Sequence, residues 1–316
     1  MADDLGVSLQ DIEDLLESRG LRDGFDDPPD PTPAPASPLE FEPPKIVEGL
    51  DAETYHADTG SVGAGGLSLL RRSPLHHWHA CRRPGRTPEA PTDAQRFGTA
   101  VHCALLEPDQ FDARVAFRPD CDRRTKEGKA ICAEFSKSLG NRLELNAGAR
   151  DKIAEIVAAV ASHPAAAMLM SGDGLREASV YWTDSLTGVR CRCRPDFAPR
   201  DGEPLLVDLK CTVDASDRGI GRTASNLGWP MRAAWYVDGW KAATGEKREY
   251  VFACWESEPP HAFAAYFVED ELLQYGRAQY CALLQRYAKC LAEDSWPGYF
   301  EQVQPLIMPA WFKGDK

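Results

Sequence analysis

The sequence predicts an α/β domain with a central mixed sheet flanked by helices, and three observations carry that expectation. Apolar and polar residues alternate with a period of two through residues 177–210, as half-buried strands require. Apolar residues recur at helical spacing at 94–107 and again at 269–292. Two more strand-like runs, 249–255 and 262–268, follow a helix that begins near Trp229.

At 316 residues and 43% hydrophobic content the chain can bury a sizeable core, as one large domain or two smaller ones. Its start, Met1-Ala2-Asp3-Asp4, has neither the basic opening nor the apolar stretch of an export signal, and no run suffices to span a bilayer. The expectation is a cytoplasmic protein without membrane partners. Ten cysteines scattered through such a chain point to reduced thiols. Cys281 and Cys290 stand nine apart with no CxxC near them, so no iron–sulfur cluster is expected.

The net charge of −13 is unevenly spread. Residues 1–45 carry twelve acids against Arg19, Arg22 and Lys45, a net −9, which leaves −4 for all the rest. Within this arm, 8–20 reads as a short amphipathic helix with Leu9, Ile12, Leu15 and Leu16 on one stripe. Residues 26–44 are too rich in proline and acid to pack and read as a flexible linker. The arm suits a solubilising tail, and partner docking or DNA mimicry remain open. Folded sequence is expected from about Ile46 to the C-terminus.

Residues 67–86 hold five arginines, among them Arg71, Arg72 and Arg82, with three histidines, no acid and Trp78 between them. Such a surface suits phosphate contact and base stacking, or simply an exposed basic face. His76, His77, His79 and Cys81 are too tightly spaced for a usual four-ligand zinc site. In the helix at 94–107, Phe97, Val101, Ala104 and Leu105 form the expected buried stripe, with His102 at its edge. Gly98 lies one turn earlier on the side of His102 and leaves that side open. On pattern alone His102 would be read as structural. Residues 123–170 read as scaffold helices interrupted at His163-Pro164.

A hairpin turns at 185–188, and its second strand alternates Val189, Cys191 and Cys193 against Arg190, Arg192 and Arg194, with Asp196 on the arginine face. The strand at 204–210 puts Leu205, Val207 and Leu209 on one side and Asp208 and Lys210 on the other. On the next helix Arg232 and Tyr236 share a face at i, i+4 spacing. Asp196, Asp208 and His102 could converge on a hard cation, Mg²⁺ or Mn²⁺, leaving positions for water and phosphate. Lys210 beside it would orient the attacking water and stabilise transition-state charge. An Asp-x-Lys on a strand can also be a plain cross-strand ion pair.

The ordered pieces resemble a known family. FGTAVHCALLEP at 97–108, CRCRPDF at 191–197, VDLKCTVDAS at 207–216, AAWYVDG at 233–239 and WPGY at 296–299 follow YHADTGSVGAGGLSLLRRSP at 55–74. This set resembles the RecE-like exonucleases (the exodeoxyribonuclease VIII C-terminal domain), a branch of the PDDEXK superfamily related to lambda exonuclease. The resemblance implies a PDDEXK (restriction-endonuclease-like) core with His102, Asp196 and Asp208 as metal ligands and Lys210 as the catalytic lysine. It also implies Glu177 as an additional acid near the metal. Digestion of linear duplex DNA from 5′ ends, a homo-oligomeric ring (trimer or tetramer) and a single-strand annealing partner follow from it too.

Where that family has Gln-x-x-x-Tyr this chain has Arg232 and Tyr236, and the fork of donors on arginine suits a phosphate. With Arg71, Arg72, Arg82 and Arg194 these make up the expected DNA contacts. The alternatives are an endonuclease of the same superfamily, a catalytically inactive nuclease fold used for binding, and a zinc-dependent interaction module at His76 to Cys81.

Overall fold

The computed structural model describes residues 41–86, 90–122 and 124–308. The predicted helix at 8–20 and most of the acidic arm lie outside these residues. Packing is already present just before the predicted boundary: the Phe41 ring lies edge-on against Tyr181 at 4.8 Å, and the first described strand, β1, is Lys45–Val47.

The central sheet has five strands: β4 (Gly174–Arg176), β7 (Phe197–Pro199), β8 (Leu205–Thr212), β9 (Glu249–Glu256) and β10 (Phe263–Phe267). Their spatial order is β10-β9-β8-β7-β4, with β8 and β9 parallel and the other pairs antiparallel, so the sheet is mixed as expected. A parallel central pair must be covered on both faces, which is why LLVDL and YVFACW are almost continuously apolar. One face meets α4 (Asp93–Leu106), α6 (Ala149–Ala161) and α7 (Pro164–Met170), where Ala100, Val101, Ile153, Ile156 and Leu169 pack on Phe197, Val207, Leu209 and Trp255. The other meets α9 (Trp229–Thr244), an all-round apolar helix that rests in turn on α10 (Asp270–Glu293).

The predicted hairpin forms, as β5 (Ser179–Thr183) and β6 (Arg190–Cys193), but outside the central sheet. It builds a separate three-stranded sheet with β1 on the far side of α9, where Trp182 meets Trp235 at 4.9 Å. The physical reason is Pro195. A proline has no N–H to continue the ladder, so β6 stops and the chain crosses to the central sheet to become β7. The middle region holds α5 (Lys126–Leu139), α6 and α7, with Pro164 at the first turn of α7 as expected, and an unforeseen parallel pair of β2 (Val115–Phe117) and β3 (Leu143–Leu145).

The expectation of reduced thiols is corrected at one pair: Cys121 and Cys132 are joined by a disulfide, and the other eight cysteines are free. Gly128 makes the approach possible, since an added Cβ there would lie 2.1 Å from the Asp122 carbonyl oxygen. The loop therefore lies against α5 and brings Cys121 beside it. Among the described residues no single helix is long and apolar enough to cross a membrane.

Candidate metal centre

The centre sits where β7 and β8 part. Their ladder holds at one register position, Phe197 opposite Val207, and beyond it the Leu209 N–H has no strand partner. That donor is taken by the Asp196 carboxylate, 2.5 Å away, which fixes the side chain in the notch between the strands. Glu177 occupies the matching crossing on the way out, between β4 and β5. Its N–H donates to the Asp196 carbonyl at 3.0 Å, and its φ of +50° is one that a side chain disfavours.

From the opposite side α4 brings His102. A capping box on Thr92 and Gln95 starts the helix, and its buried face, Ala100, Val101, Cys103 and Leu106, is turned slightly from the predicted stripe, with Phe97, Ala104 and Leu105 half-buried. His102 lies edge-on to Trp255 at 5.5 Å, with Nδ1 3.7 Å from an Asp196 carboxylate oxygen. An added Cβ at Gly98 would meet nothing within 4 Å, so that approach is open as expected.

Ligand atoms of His102, Glu177 and Asp196 all lie within 4.8 Å of one another. Asp208 lies apart from this trio, buried at 2% exposure and ion-paired to Lys210, whose ammonium also donates to the Leu209 carbonyl at 3.1 Å. Burial pushes Glu177 up to about 8, with repulsion from Asp196 adding to it. Burial and then Asp208 raise Asp196. Burial would raise Asp208 as well, but Lys210 and then Arg232 hold it below its ordinary value. Three acids facing two fixed cations leave negative charge that buried carboxylates relieve by taking protons, and a divalent cation would relieve it instead. The donors are hard oxygens and one imidazole nitrogen, a set that fits Mg²⁺ or Mn²⁺.

Among the cationic residues expected at DNA, Arg232 faces the centre. Its charge is felt by Asp208 and Asp196, and its guanidinium has no hydrogen bond or ion pair among the described residues. Tyr236 is buried, edge-on to Tyr250. Arg71 and Arg72 are exposed. Arg194 and Arg82 are committed internally. Arg194 donates to Ser179 and to the Leu50 carbonyl and covers the Tyr55 ring, while Arg82 donates to the Tyr287 hydroxyl and lies over Trp296. His77 is equally structural, buried with Nδ1 2.9 Å from the Gly66 carbonyl and its ring stacked on Trp296. Spacing did not point to Glu107 and Arg114, whose bidentate ion pair is felt electrostatically by Glu177. Seven residues apart across a helix end, they offer no periodic signal.

A mixed sheet with acids at a splayed strand pair and a lysine two residues on defines the PDDEXK class of folds. Residues 70–308 match the PDDEXK-like domain of unknown function (DUF3799), and the chain belongs to that family. It is similar in fold to an exonuclease, provisionally so named, from Eubacterium rectale, with a TM-score of 0.59 at 16% identity over 83% of this chain and 96% of that one. An alkaline exonuclease from Laribacter hongkongensis aligns over 59% of this chain and 97% of its own at 15% identity, with a TM-score of 0.26, too low to inform the fold. No curated protein matches the chain.

Proposed function

We propose that this protein is a metal-dependent nuclease of the RecE-like kind, hydrolysing phosphodiester bonds of linear double-stranded DNA from 5′ ends. The observation that carries the reading is the meeting of His102, Glu177 and Asp196 beside a lysine at the notch between β7 and β8. A Mg²⁺ or Mn²⁺ ion held by that trio would bind the scissile phosphate and make water acidic enough to attack at neutral pH. Asp208 pairs with Lys210 beside the centre. Lys210 then orients the attacking water and stabilises charge on the phosphate oxygens. Asp208 is proposed as a further ligand, as the family resemblance implies, and it would have to release Lys210 to serve. Arg232, whose guanidinium lies over the Tyr236 ring without a hydrogen bond or ion pair among the described residues, grips a backbone phosphate next to the scissile one. A ring-shaped oligomer around the duplex and cooperation with a single-strand annealing protein complete the proposal.

The test is digestion of linear duplex DNA labelled separately at its 5′ and 3′ ends, with Mg²⁺, Mn²⁺ or chelator, beside covalently closed circular DNA. Loss of the 5′ label first, only with metal, and an intact circle are expected. Cleavage of the circle would make the protein an endonuclease, and no cleavage of any substrate with either ion would reduce it to a binding fold.

A further inference from the structure

The central sheet ends on an unguarded edge. β10 pairs only with β9, and Val268 and Ala262 make the hydrogen bonds that flank the ladder. Counting inward by twos, the N–H and C=O groups of Ala265 and Phe267 point away from the sheet, and among the described residues nothing receives them. Natural edges are usually blunted by charge, proline or a bulge. Residues 262–268, AFAAYFV, contain none of these, and Phe267 is 54% exposed.

A second unpartnered segment matches it. After α10 the chain is anchored on α3 (Pro74–His77): the Pro297 carbonyl accepts from the Leu75 N–H at 3.1 Å, and Tyr299 lies 5.4 Å from the His76 ring. It then runs without secondary structure through Val303, Leu306 and Ile307, which are 90%, 90% and 82% exposed. As an added strand, Pro305 must turn its nitrogen outward, so Gln304 and Leu306 would pair with β10 while Val303, Pro305 and Ile307 cover the face of Ala265 and Phe267. The 24 residues of α10, a rise of about 36 Å, lie between the end of β10 and the root of the tail, so the two segments leave opposite ends of one helix.

We propose that residues 302–308 of one protein molecule add a strand to β10 of a second copy. The contact joins two different surfaces, so repeated copies build head to tail and close into a ring when the rotation allows. This rests on, and gives a structural basis to, the ring in the proposed function.

Two single-site blocks test it by sedimentation velocity. A chain lacking residues 302–316 and the Ala265→Pro variant, which removes an outward N–H and leaves the β9 ladder intact, should each fall from a multimer to the 34.9 kDa monomer mass range. Leu306→Asp with Ile307→Asp, on an exposed tail that cannot unfold the domain, should do the same. Mixing the truncated chain with Ala265→Pro should restore a dimer and nothing larger, because one supplies the edge and the other the tail. A monomeric wild type, or a multimer indifferent to both tail changes, overturns the proposal. Cleavage of a short labelled duplex is read in parallel: if no protein cuts, the nuclease reading fails whatever the assembly, and if monomers cut, assembly and chemistry are separate.

Discussion

The backbone N–H of Glu177 donates to the carbonyl of Asp196 at 3.0 Å, tying together the two points where the chain crosses between the sheets. Each residue also supplies a carboxylate to the same cluster, so the architecture that splits the strands over two sheets is what concentrates the acids.

Stability without metal should therefore fall as pH rises. Glu177 is pushed from 4.5 in the unfolded chain up to about 8, chiefly by burial and then by Asp196. A raised folded value means the native state holds the proton more tightly, so this contribution is complete below 4.5 and disappears as pH climbs through about 8. With chelator, the melting temperature should drop between pH 6 and 8. Glu177→Gln, which mimics the protonated acid, should flatten that drop, and Mg²⁺ or Mn²⁺ should flatten it in the wild type. An unchanged slope in Glu177→Gln would remove this acid from the charge balance of the centre.

Lys210 and Asp208 form a buried pair, and breaking such a pair from one side leaves an uncompensated charge. Lys210→Met should cost about 3 kcal/mol in urea unfolding with chelator present and lower turnover by about 10²–10³-fold. Adding Asp208→Asn should return most of the stability and none of the turnover. Equal losses in single and double variants would mean that Lys210 holds the fold through something other than Asp208.

Part of this centre was legible in the sequence. Asp208 and Lys210 share the polar side of an otherwise apolar strand and His102 borders a helical stripe, but period alone left each with a structural reading, and it was their order along the chain that set them apart. Glu177 has no such mark. Its importance comes from a left-handed backbone at a sheet crossing, which no spacing encodes. The separate hairpin sheet was not foreseen, although Pro195, a residue that ends a strand, marks the crossing. Arg194, expected at DNA, is bound within the protein to Ser179 and Leu50, and Arg192 to Asp58 and Ser61, partners from distant stretches of chain that no local pattern shows.

The close contact of α9 and α10 makes a stability prediction with a built-in control. An added Cβ at Gly276 would lie 2.0 Å from the Pro230 carbonyl oxygen, so Gly276→Ala should destabilise by about 1–3 kcal/mol through backbone displacement. At Gly221, inside the helix Asp217–Leu227, a Cβ would meet nothing within 4 Å. Gly221→Ala should stabilise by about 0.5–1 kcal/mol through helix propensity. Urea midpoints moving in the same direction for both would contradict the packing described for these helices.

Arg232 separates a phosphate clamp from a structural arginine. Its guanidinium faces Asp208 and Asp196 without a hydrogen bond among the described residues, which costs little if DNA supplies the partner. Measured in an Asp208→Asn background to prevent cleavage, Arg232→Gln should weaken duplex binding and reduce the slope of log affinity against log salt by about 0.9, one phosphate contact. Arg232→Lys keeps the charge but not the fork, so it should retain the salt slope while, with Asp208 intact, turnover still falls. If Gln and Lys behave alike in both measurements, the guanidinium geometry has no part in recognition. If only thermal stability changes, Arg232 belongs to the scaffold and not to the DNA-binding surface.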